Sequence, residues 1–267
     1  MPETPVIARA ALHPWEEPCI SGTQGSGTVF FSGCVLGCVF CQNSRISHEH
    51  FGKPVSISAL RAIFDDLIAQ GAHNINLVSP TQYTHTVLQA LQPPLPVPVV
   101  WNTGGYERVE TLRALEGKVQ IYLPDLKYAD SELARRYSGA EDYFVHATAA
   151  ILEMYRQVGD YVLEDGLLKC GVVIRHLMLP GALDNTKAVL DWVAENFKSG
   201  QVLFSLMAQY TPQENAEGLL KRRVTKAEYR AALAYMENLG ISDGYAQDAA
   251  SARREYTPDF DLTGLLE

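Results

Sequence analysis

Three cysteines fall within eight residues of this chain, at Cys34, Cys38 and Cys41, with the spacing C-x₃-C-x₂-C. They directly follow a run of β-branched and aromatic residues that begins at Thr28. Three close thiolates on one loop can each bind one iron of a cubane [4Fe–4S] cluster. Because such clusters usually have four cysteine ligands, three would leave one iron open to a substrate or cofactor, much as a catalytic zinc ion keeps an open position.

Two other interpretations of the cysteines stay open on spacing alone. His48 and His50 follow closely, and three cysteines with one histidine form a common zinc site. The thiols could also be small apolar side chains in a buried loop. The chain has five cysteines, an odd number, and the crowding of three of them favours metal ligation over disulfides in a reducing compartment.

Composition narrows the class of protein. The net charge is −9, so clustered Lys and Arg for nucleic-acid binding are not expected. The N-terminus has neither the basic start nor the apolar core of a signal peptide, and no apolar run approaches the length of a membrane span. We therefore expect a cytoplasmic protein, and 267 residues bury enough surface to be stable without disulfides.

Short apolar runs alternate with amphipathic helical stretches along the chain. Leu60, Ile63, Phe64, Leu67 and Ile68 form one helical stripe, and Thr225 and Glu228 form a capping box before the last clear helix. Runs buried on both faces are typical of parallel strands, so the pattern predicts an α/β fold in which six βα units form an open partial (β/α)₆ barrel. Functional side chains in barrels lie at the carboxyl ends of strands. The six predicted strands are Thr28–Gly33, Asn74–Ser79, Val97–Asn102, Val119–Leu126, Val172–Leu179 and Val202–Gln209.

The segment Thr28–Asn43, TVFFSGCVLGCVFCQN, resembles the radical S-adenosylmethionine (SAM) superfamily, and within it the pyruvate formate-lyase activating enzymes. The likeness runs from about Ile20 to about Gln247. It implies an N-terminal segment at 1–27, a radical SAM partial barrel at 28–247 and a C-terminal tail at 248–267. It also implies an oxidoreductase in which the reduced cluster cleaves bound SAM, and the resulting 5′-deoxyadenosyl radical takes hydrogen from a substrate.

The resemblance assigns Phe40 to the adenine side of the SAM pocket and includes Asn43 among the cofactor contacts. Where most of the superfamily carries Gly-Gly-Glu, this chain reads Ser79-Pro80-Thr81. The hydroxyls of Ser79 and Thr81 would replace those contacts, or the segment is an ordinary strand-to-helix turn with Thr81 as cap. Asn102 and Thr103 resemble the family's Thr-Asn-Gly turn, although a plain turn with two glycines would look the same.

Two further stretches match the family's charged residues. Asp125-Leu126-Lys127 matches Asp-Leu-Lys, and alternation puts Asp125 and Lys127 on one side of an extended segment. The likeness implies that Lys127 pairs with the SAM carboxylate and that Asp125 accepts from its amino group or a cation, whereas charges at a strand end are usually just solvated. Arg175, amid apolar neighbours, needs an anionic partner, for which the likeness suggests the same carboxylate. His176 is expected to face the other way in a structural role.

The resemblance suggests partners as well. The expected substrate is a glycine of a partner glycyl radical enzyme, with a small molecule or another peptide as the alternative. A flavodoxin or ferredoxin is the expected electron donor by analogy. A third hypothesis is a non-catalytic barrel that binds an iron–sulfur cluster or zinc.

Overall fold

The computed structural model describes residues 4–214, 216–247 and 258–265. Within these residues, ten strands and nine α-helices alternate for most of the chain. The strands are β1 Val6–His13, β2 Ser26–Phe31, β3 Lys53–Pro54, β4 Ile75–Val78, β5 Val99–Thr103, β6 Ile121–Pro124, β7 Val162–Glu164, β8 Leu167–Leu177, β9 Leu203–Met207 and β10 Gly244–Gln247. The helices are α1 Pro18–Ser21, α2 Ser44–Ser47, α3 Ile57–Ala69, α4 Thr84–Ala90, α5 Val109–Arg113, α6 Ser131–Ser138, α7 Tyr143–Val158, α8 Leu183–Asn196 and α9 Lys226–Asn238.

The sheet is mostly parallel and open. Its parallel part has the order β10-β9-β8-β6-β5-β4-β2, and β1 and β3 extend the β2 edge in antiparallel orientation. Strand β7 pairs only with β8, and the outer strands β10 and β3 do not meet among the described residues. All six predicted strands are present, which confirms the predicted open α/β barrel.

One parallel strand and the antiparallel strands beside β2 were not predicted from the sequence. Strand β10 adds a seventh parallel strand, so six βα units underestimate the sheet. Its sequence, Gly-Tyr-Ala-Gln, is short, partly exposed and contains no apolar run. Strand β1 lies inside the segment predicted to precede the barrel, and it carries Arg9 at a partly exposed position. Strand β10 is an outer strand, and β1 mixes buried with partly exposed residues, so neither has the continuous apolar run of a central parallel strand.

The strand pattern arises because both faces of the parallel strands are covered. On the outer face, Trp101 and Tyr122 pack into the large core beneath the helices. On the inner face, Val100 and Leu123 pack in a smaller cluster with Ile20 of α1. Alternation along β5 therefore places Asn102 on the inner face of the barrel, between the outward-facing Trp101 and Thr103.

The predicted helix signals are confirmed. Helix α3 buries Leu60, Ile63, Phe64 and Leu67. Helix α9 begins with the Thr225–Glu228 capping box, with both reciprocal hydrogen bonds formed. In the residues for which structure is described, no helix is both long enough and apolar enough to cross a bilayer.

Part of the predicted tail lies against the edge of the sheet. The backbone N–H of Leu262 donates to the Ala8 carbonyl at 3.0 Å, and that of Ala10 donates to the Thr263 carbonyl at 2.9 Å. Phe260 is buried and packs edge-on against Phe30, with ring centroids 5.5 Å apart. Residues 248–257 and 266–267 of the predicted tail lie outside the described residues.

Candidate radical SAM site

The predicted site residues come from the carboxyl ends of neighbouring parallel strands. Cys34 follows β2, Ser79 follows β4, Asn102 lies near the end of β5, and Asp125 follows β6. Arg175 lies near the end of β8 and forms a parallel bridge with Asp125. Since these ends meet at one edge of the sheet, residues far apart in the sequence share one site.

Each of the three loop cysteines accepts a hydrogen bond at sulfur. The backbone N–H of Leu36 donates to Cys34 Sγ at 3.4 Å, and Ser47 Oγ donates to Cys41 Sγ at 3.2 Å. Ser138, at the end of α6, donates to Cys38 Sγ at 2.9 Å. Donors aimed at sulfur stabilise a thiolate, the form that binds metal.

Burial opposes ionisation of the Cys34 and Cys38 thiols. Burial raises the pKa of Cys34 to about 11 and also raises the pKa of Cys38. The Lys127 ammonium acts on both thiols in the opposite direction, as does the Ser138 hydroxyl on Cys38. A bound cation would favour the thiolates, so we expect metal loading to release protons.

A single zinc ion would need His48 or His50 as a further donor beside the cysteines. Throughout 4–214, 216–247 and 258–265, no three side chains of His, Cys, Asp or Glu are grouped so that they could hold one metal ion. His48 and His50 therefore do not complete a zinc site with the cysteines. A cubane cluster has no such requirement, because each cysteine binds a different iron.

A largely buried network of charges adjoins the cysteine loop. The Lys127 ammonium contacts one oxygen of Asp125, and Arg175 Nε donates to the other oxygen at 2.9 Å. Arg175 Nη2 donates to Asn102 Oδ1 at 2.7 Å. The structure thus brings together four of the predicted cofactor contacts. In this state, Asp125 occupies the positive groups that were predicted to bind the SAM carboxylate.

In this network, neighbouring opposite charges together shift the pKa values of Asp125 and Lys127 more than burial does. Burial by itself would raise the pKa of Asp125, but the Arg175 and Lys127 charges hold it below its usual value. Burial would likewise lower the pKa of Lys127, and Asp125, helped by Cys38, raises it above the usual value. Both groups are therefore charged at neutral pH, as an ion pair needs to be.

Glu16 also belongs to this network, and the sequence analysis missed it. Its carboxylate accepts from Arg175 Nη1 at 3.2 Å, from Asn76 Nδ2 at 3.1 Å and from Asn102 Nδ2 at 3.2 Å. Burial raises the pKa of Glu16, while the Arg175 charge acts in the opposite direction. Glu16 precedes the barrel strands, and no family motif or apolar run marks it. Only the contacts of three inward-facing side chains reveal its position.

Three groups hold the Asp125–Lys127 segment in place. His176 is fully buried, and its Nδ1 lies 2.7 Å from the Leu126 carbonyl oxygen while its Nε2 lies 3.0 Å from Thr186 Oγ1. The predicted structural role of His176 is thus confirmed. The Tyr143 hydroxyl lies 2.7 Å from the Asp125 carbonyl and accepts from the Lys127 N–H at 3.0 Å. At Gly105, with φ +82°, a Cβ would lie 2.1 Å from the Asp125 carbonyl oxygen.

Thr81 and Thr103 lie apart from the charged network. Both hydroxyls donate to Oε1 of Glu107, Thr81 at 2.5 Å and Thr103 at 2.6 Å. Trp101 Nε1 donates to the same oxygen at 3.3 Å, and Glu107 Oε2 is buried without a partner. Burial raises the pKa of Glu107, although its three donors oppose the shift. The Glu107 carboxyl, through these hydrogen bonds, joins the ends of β4 and β5 on their outer side.

The remaining predicted contacts surround the loop. Ser79 has a left-handed backbone, with φ 55°, and its carbonyl accepts from Gln82 Nε2 at 3.0 Å. Gln82, which was not predicted, also donates to the Ser32 and Gly33 carbonyls just before Cys34, at 3.0 Å each. Asn43 caps the short helix α2 through its backbone carbonyl. These contacts fix the geometry of the cysteine loop.

Phe40 lies in an aromatic cluster behind the cysteine loop. Its ring centroid is 6.3–6.4 Å from those of Tyr128, Tyr137 and Tyr210, each in an edge-on arrangement. Phe40 is 7 % exposed, so the cluster is almost closed to solvent. Its assignment to the adenine side of a SAM pocket stays a prediction.

Comparison with known proteins identifies the fold. No family model matches the chain. A relative in Methanocaldococcus jannaschii, Uncharacterized protein MJ0674, is 31 % identical over 230 residues, which cover 81 % of this chain and 63 % of the relative. The chain therefore spans less than two thirds of that relative's length.

Several solved structures of radical SAM enzymes match the fold of this chain. SuiB of Streptococcus suis bound to S-adenosylmethionine matches with a TM-score of 0.54 and 16 % identity, over 81 % of this chain and 45 % of SuiB. SuiB bound to its precursor peptide SuiA matches with a TM-score of 0.58 and 15 % identity, over 81 % of this chain and 46 % of SuiB. Methylornithine synthase (PylB) matches with a TM-score of 0.55 and 15 % identity, over 90 % of this chain and 71 % of PylB. The chain therefore has the open barrel fold of radical SAM enzymes.

Proposed function

We propose that this chain is a radical SAM enzyme, with a [4Fe–4S] cluster on Cys34, Cys38 and Cys41 and SAM bound beside it. The observation that carries the proposal is the position of three sulfur-ligand candidates, each with a hydrogen-bond donor, next to the buried Lys127–Asp125–Arg175 network. The cluster, when bound, would supply the electron that cleaves SAM to methionine and a 5′-deoxyadenosyl radical, which takes hydrogen from the substrate.

The charged network suits an amino-acid group. Lys127 and Arg175 carry positive charge in a largely buried setting, where a carboxylate is bound more strongly than at the surface. If a carboxylate displaces Asp125 from one of them, the freed Asp125 oxygen can accept from an amino group. Asn102 keeps Arg175 oriented by the hydrogen bond to Nη2. Further SAM contacts are proposed for Phe40, Asn43 and Ser79. Thr81 and Thr103 are proposed to line the same pocket by groups other than their hydroxyls, which donate to Glu107.

A peptide or protein is the substrate class that we favour. Val35 and Val39, on the cysteine loop, expose 47 % and 56 % of their surface. Exposed apolar side chains beside a reactive site suit approach by a macromolecule. SuiB, whose fold this chain shares, is bound to a precursor peptide in one crystal structure. We propose hydrogen abstraction from a glycine of a partner enzyme as the reaction, with a small molecule as the alternative and a flavodoxin or ferredoxin as the electron donor.

The first experiment reconstitutes the protein anaerobically with iron and sulfide. We expect about four irons and four sulfides per chain, and 5′-deoxyadenosine after addition of dithionite and SAM. Cys38→Ala should abolish the product, whereas Cys170→Ala should keep it, because Cys170 donates to the Val158 carbonyl away from the loop. A wild-type protein that contains zinc and takes up no sulfide would contradict the proposal. Formation of 5′-deoxyadenosine by Cys38→Ala would contradict it as well.

A second experiment addresses the substrate. The loaded, reduced protein is mixed with SAM and a purified glycyl radical enzyme, and the glycyl radical is sought by EPR. A signal that requires Cys38 would support activation of a partner enzyme. SAM cleavage without that signal for any such partner would favour the small-molecule or peptide alternative.

A further inference from the structure

The end of helix α6 holds the cysteine loop from outside the motif. The Val39 N–H donates to the Tyr137 carbonyl at 2.9 Å. The next residue, Ser138, is 5 % exposed and donates to Cys38 Sγ at 2.9 Å, although the two are 100 positions apart. A serine hydroxyl directed at a buried sulfur has its one proton committed there.

A second hydroxyl lies behind the first. Tyr128 is fully buried, and its hydroxyl oxygen lies 2.7 Å from Ser138 Oγ. A metal-bound thiolate can only accept, so Ser138 donates to Cys38 and Tyr128 must then donate to Ser138. Hydroxyls in series polarise each other, so the donor that Cys38 receives is stronger than an isolated serine.

The contact differs from those at the other two sulfurs. Cys34 receives a backbone N–H from two residues away at 3.4 Å, and Cys41 receives Ser47 from six residues away at 3.2 Å. Both donors are part of the loop and its short helix. The contact to Cys38 Sγ is the shortest of the three. Its donor comes from a helix outside the loop, and that donor has a buried hydroxyl partner.

We propose that Ser138, supported by Tyr128, is a positioning residue that raises the reduction potential of the cluster through its hydrogen bond to Cys38. The inference rests on the proposed function, because it requires a cluster on Cys38. A low-potential one-electron donor supplies one electron to the cluster, no proton moves, and Ser138 keeps its hydrogen. The reduced cluster carries one more negative charge, so a donor to a ligand sulfur stabilises it more than the oxidised cluster.

The test is an anaerobic redox titration of the reconstituted protein, followed by EPR of the reduced cluster, without SAM or substrate. At a potential that reduces half of the wild-type clusters, we expect Ser138→Ala to lower the reduced-to-oxidised ratio about three- to tenfold, because the lost hydrogen bond stabilises the reduced cluster more than the oxidised one. A tenfold fall corresponds to about 59 mV for one electron. Tyr128→Phe should give a smaller fall in the same direction, and Ser138→Thr, which keeps the hydroxyl, should titrate like the wild type.

Ser131→Ala is the matched control, since Ser131 is exposed at the other end of the same helix. Iron and sulfide contents of the same samples separate two failures. A wild type without a cluster would overturn the proposed function. Fully loaded Ser138→Ala and Tyr128→Phe proteins with the wild-type midpoint would overturn the role of Ser138 and leave the proposed function standing.

Discussion

Arg175 donates a hydrogen bond from Nη1 to Oε2 of Glu16 at 3.2 Å, although the two residues lie 159 positions apart. The same guanidinium binds Asp125 through Nε. One cation is thus shared between a carboxylate from before the barrel and one at its carboxyl edge. A SAM carboxylate that binds Arg175 must fit into this existing arrangement.

Glu16→Ala should destabilise the fold. The substitution removes one of the two carboxylates that are hydrogen-bonded to Arg175, while Glu17 still acts on the guanidinium through its charge. It also removes the acceptor of the Asn76 and Asn102 amides. Because breaking a buried ion pair costs about 3–5 kcal/mol and Asp125 remains, we expect a loss of about 3 kcal/mol in the free energy of unfolding, measured with urea. Asp65→Ala removes the exposed partner of Arg61 and should change the free energy of unfolding by less than about 1 kcal/mol. Equal effects of the two substitutions would contradict the role of Glu16.

Lys127→Met should weaken SAM binding. The ammonium is largely buried, and a charged hydrogen bond of about 1.5–3 kcal/mol corresponds to roughly a 10- to 100-fold rise in Kd. Calorimetric titration of the cluster-loaded protein with SAM measures this Kd. Lys226→Met, at an exposed position on α9, should bind SAM as the wild type does. An unchanged Kd for Lys127→Met would remove Lys127 from the site.

Gly105→Ala should displace the Asp125 segment. The new Cβ would lie 2.1 Å from the Asp125 carbonyl oxygen, so the backbone has to move. Gly117 also has a positive φ, at +73°, but a Cβ there meets no atom within 4 Å. We expect Gly117→Ala to cost about 1–2 kcal/mol from backbone strain alone and Gly105→Ala to cost clearly more. Equal unfolding free energies for the two variants would rule out the steric explanation.

His176 should make the fold less stable in mild acid. Burial lowers the pKa of His176 to about 4, from 6.5. The unfolded chain therefore binds a proton below about pH 6.5, while the folded chain does not until about pH 4. His176 therefore leaves the free energy of unfolding unchanged above about pH 6.5 and lowers it as the pH drops from about 6.5 to about 4.

The expected contribution of His176 is roughly 2–3 kcal/mol between pH 7 and 4.5. Urea unfolding of the wild type and His176→Gln at both pH values isolates it, because other titrating groups are common to both proteins. A wild-type pH dependence that is fully retained in His176→Gln would show that the histidine is not the group responsible.

Local sequence determined much of this protein. The cysteine spacing, the six apolar strands and the Thr225–Glu228 capping box each depend on residues within one element, so the chain alone revealed them. Alternation also placed Asp125 and Lys127 on one side of their segment, where they form an ion pair. The rule that functional side chains lie at the carboxyl ends of strands selected Asn102 and Asp125, and the family resemblance added Arg175.

The tertiary structure decided which groups face the site. Glu16, Gln82 and Ser138 carry no local signal, because their roles arise from contacts across the sheet or between a helix and a loop. Thr81 and Thr103 lie in the predicted turns, yet their hydroxyls bind Glu107 on the outer side of the strands. Sequence fixes a residue's position along an element, but burial and charge pairing between distant elements select its partner.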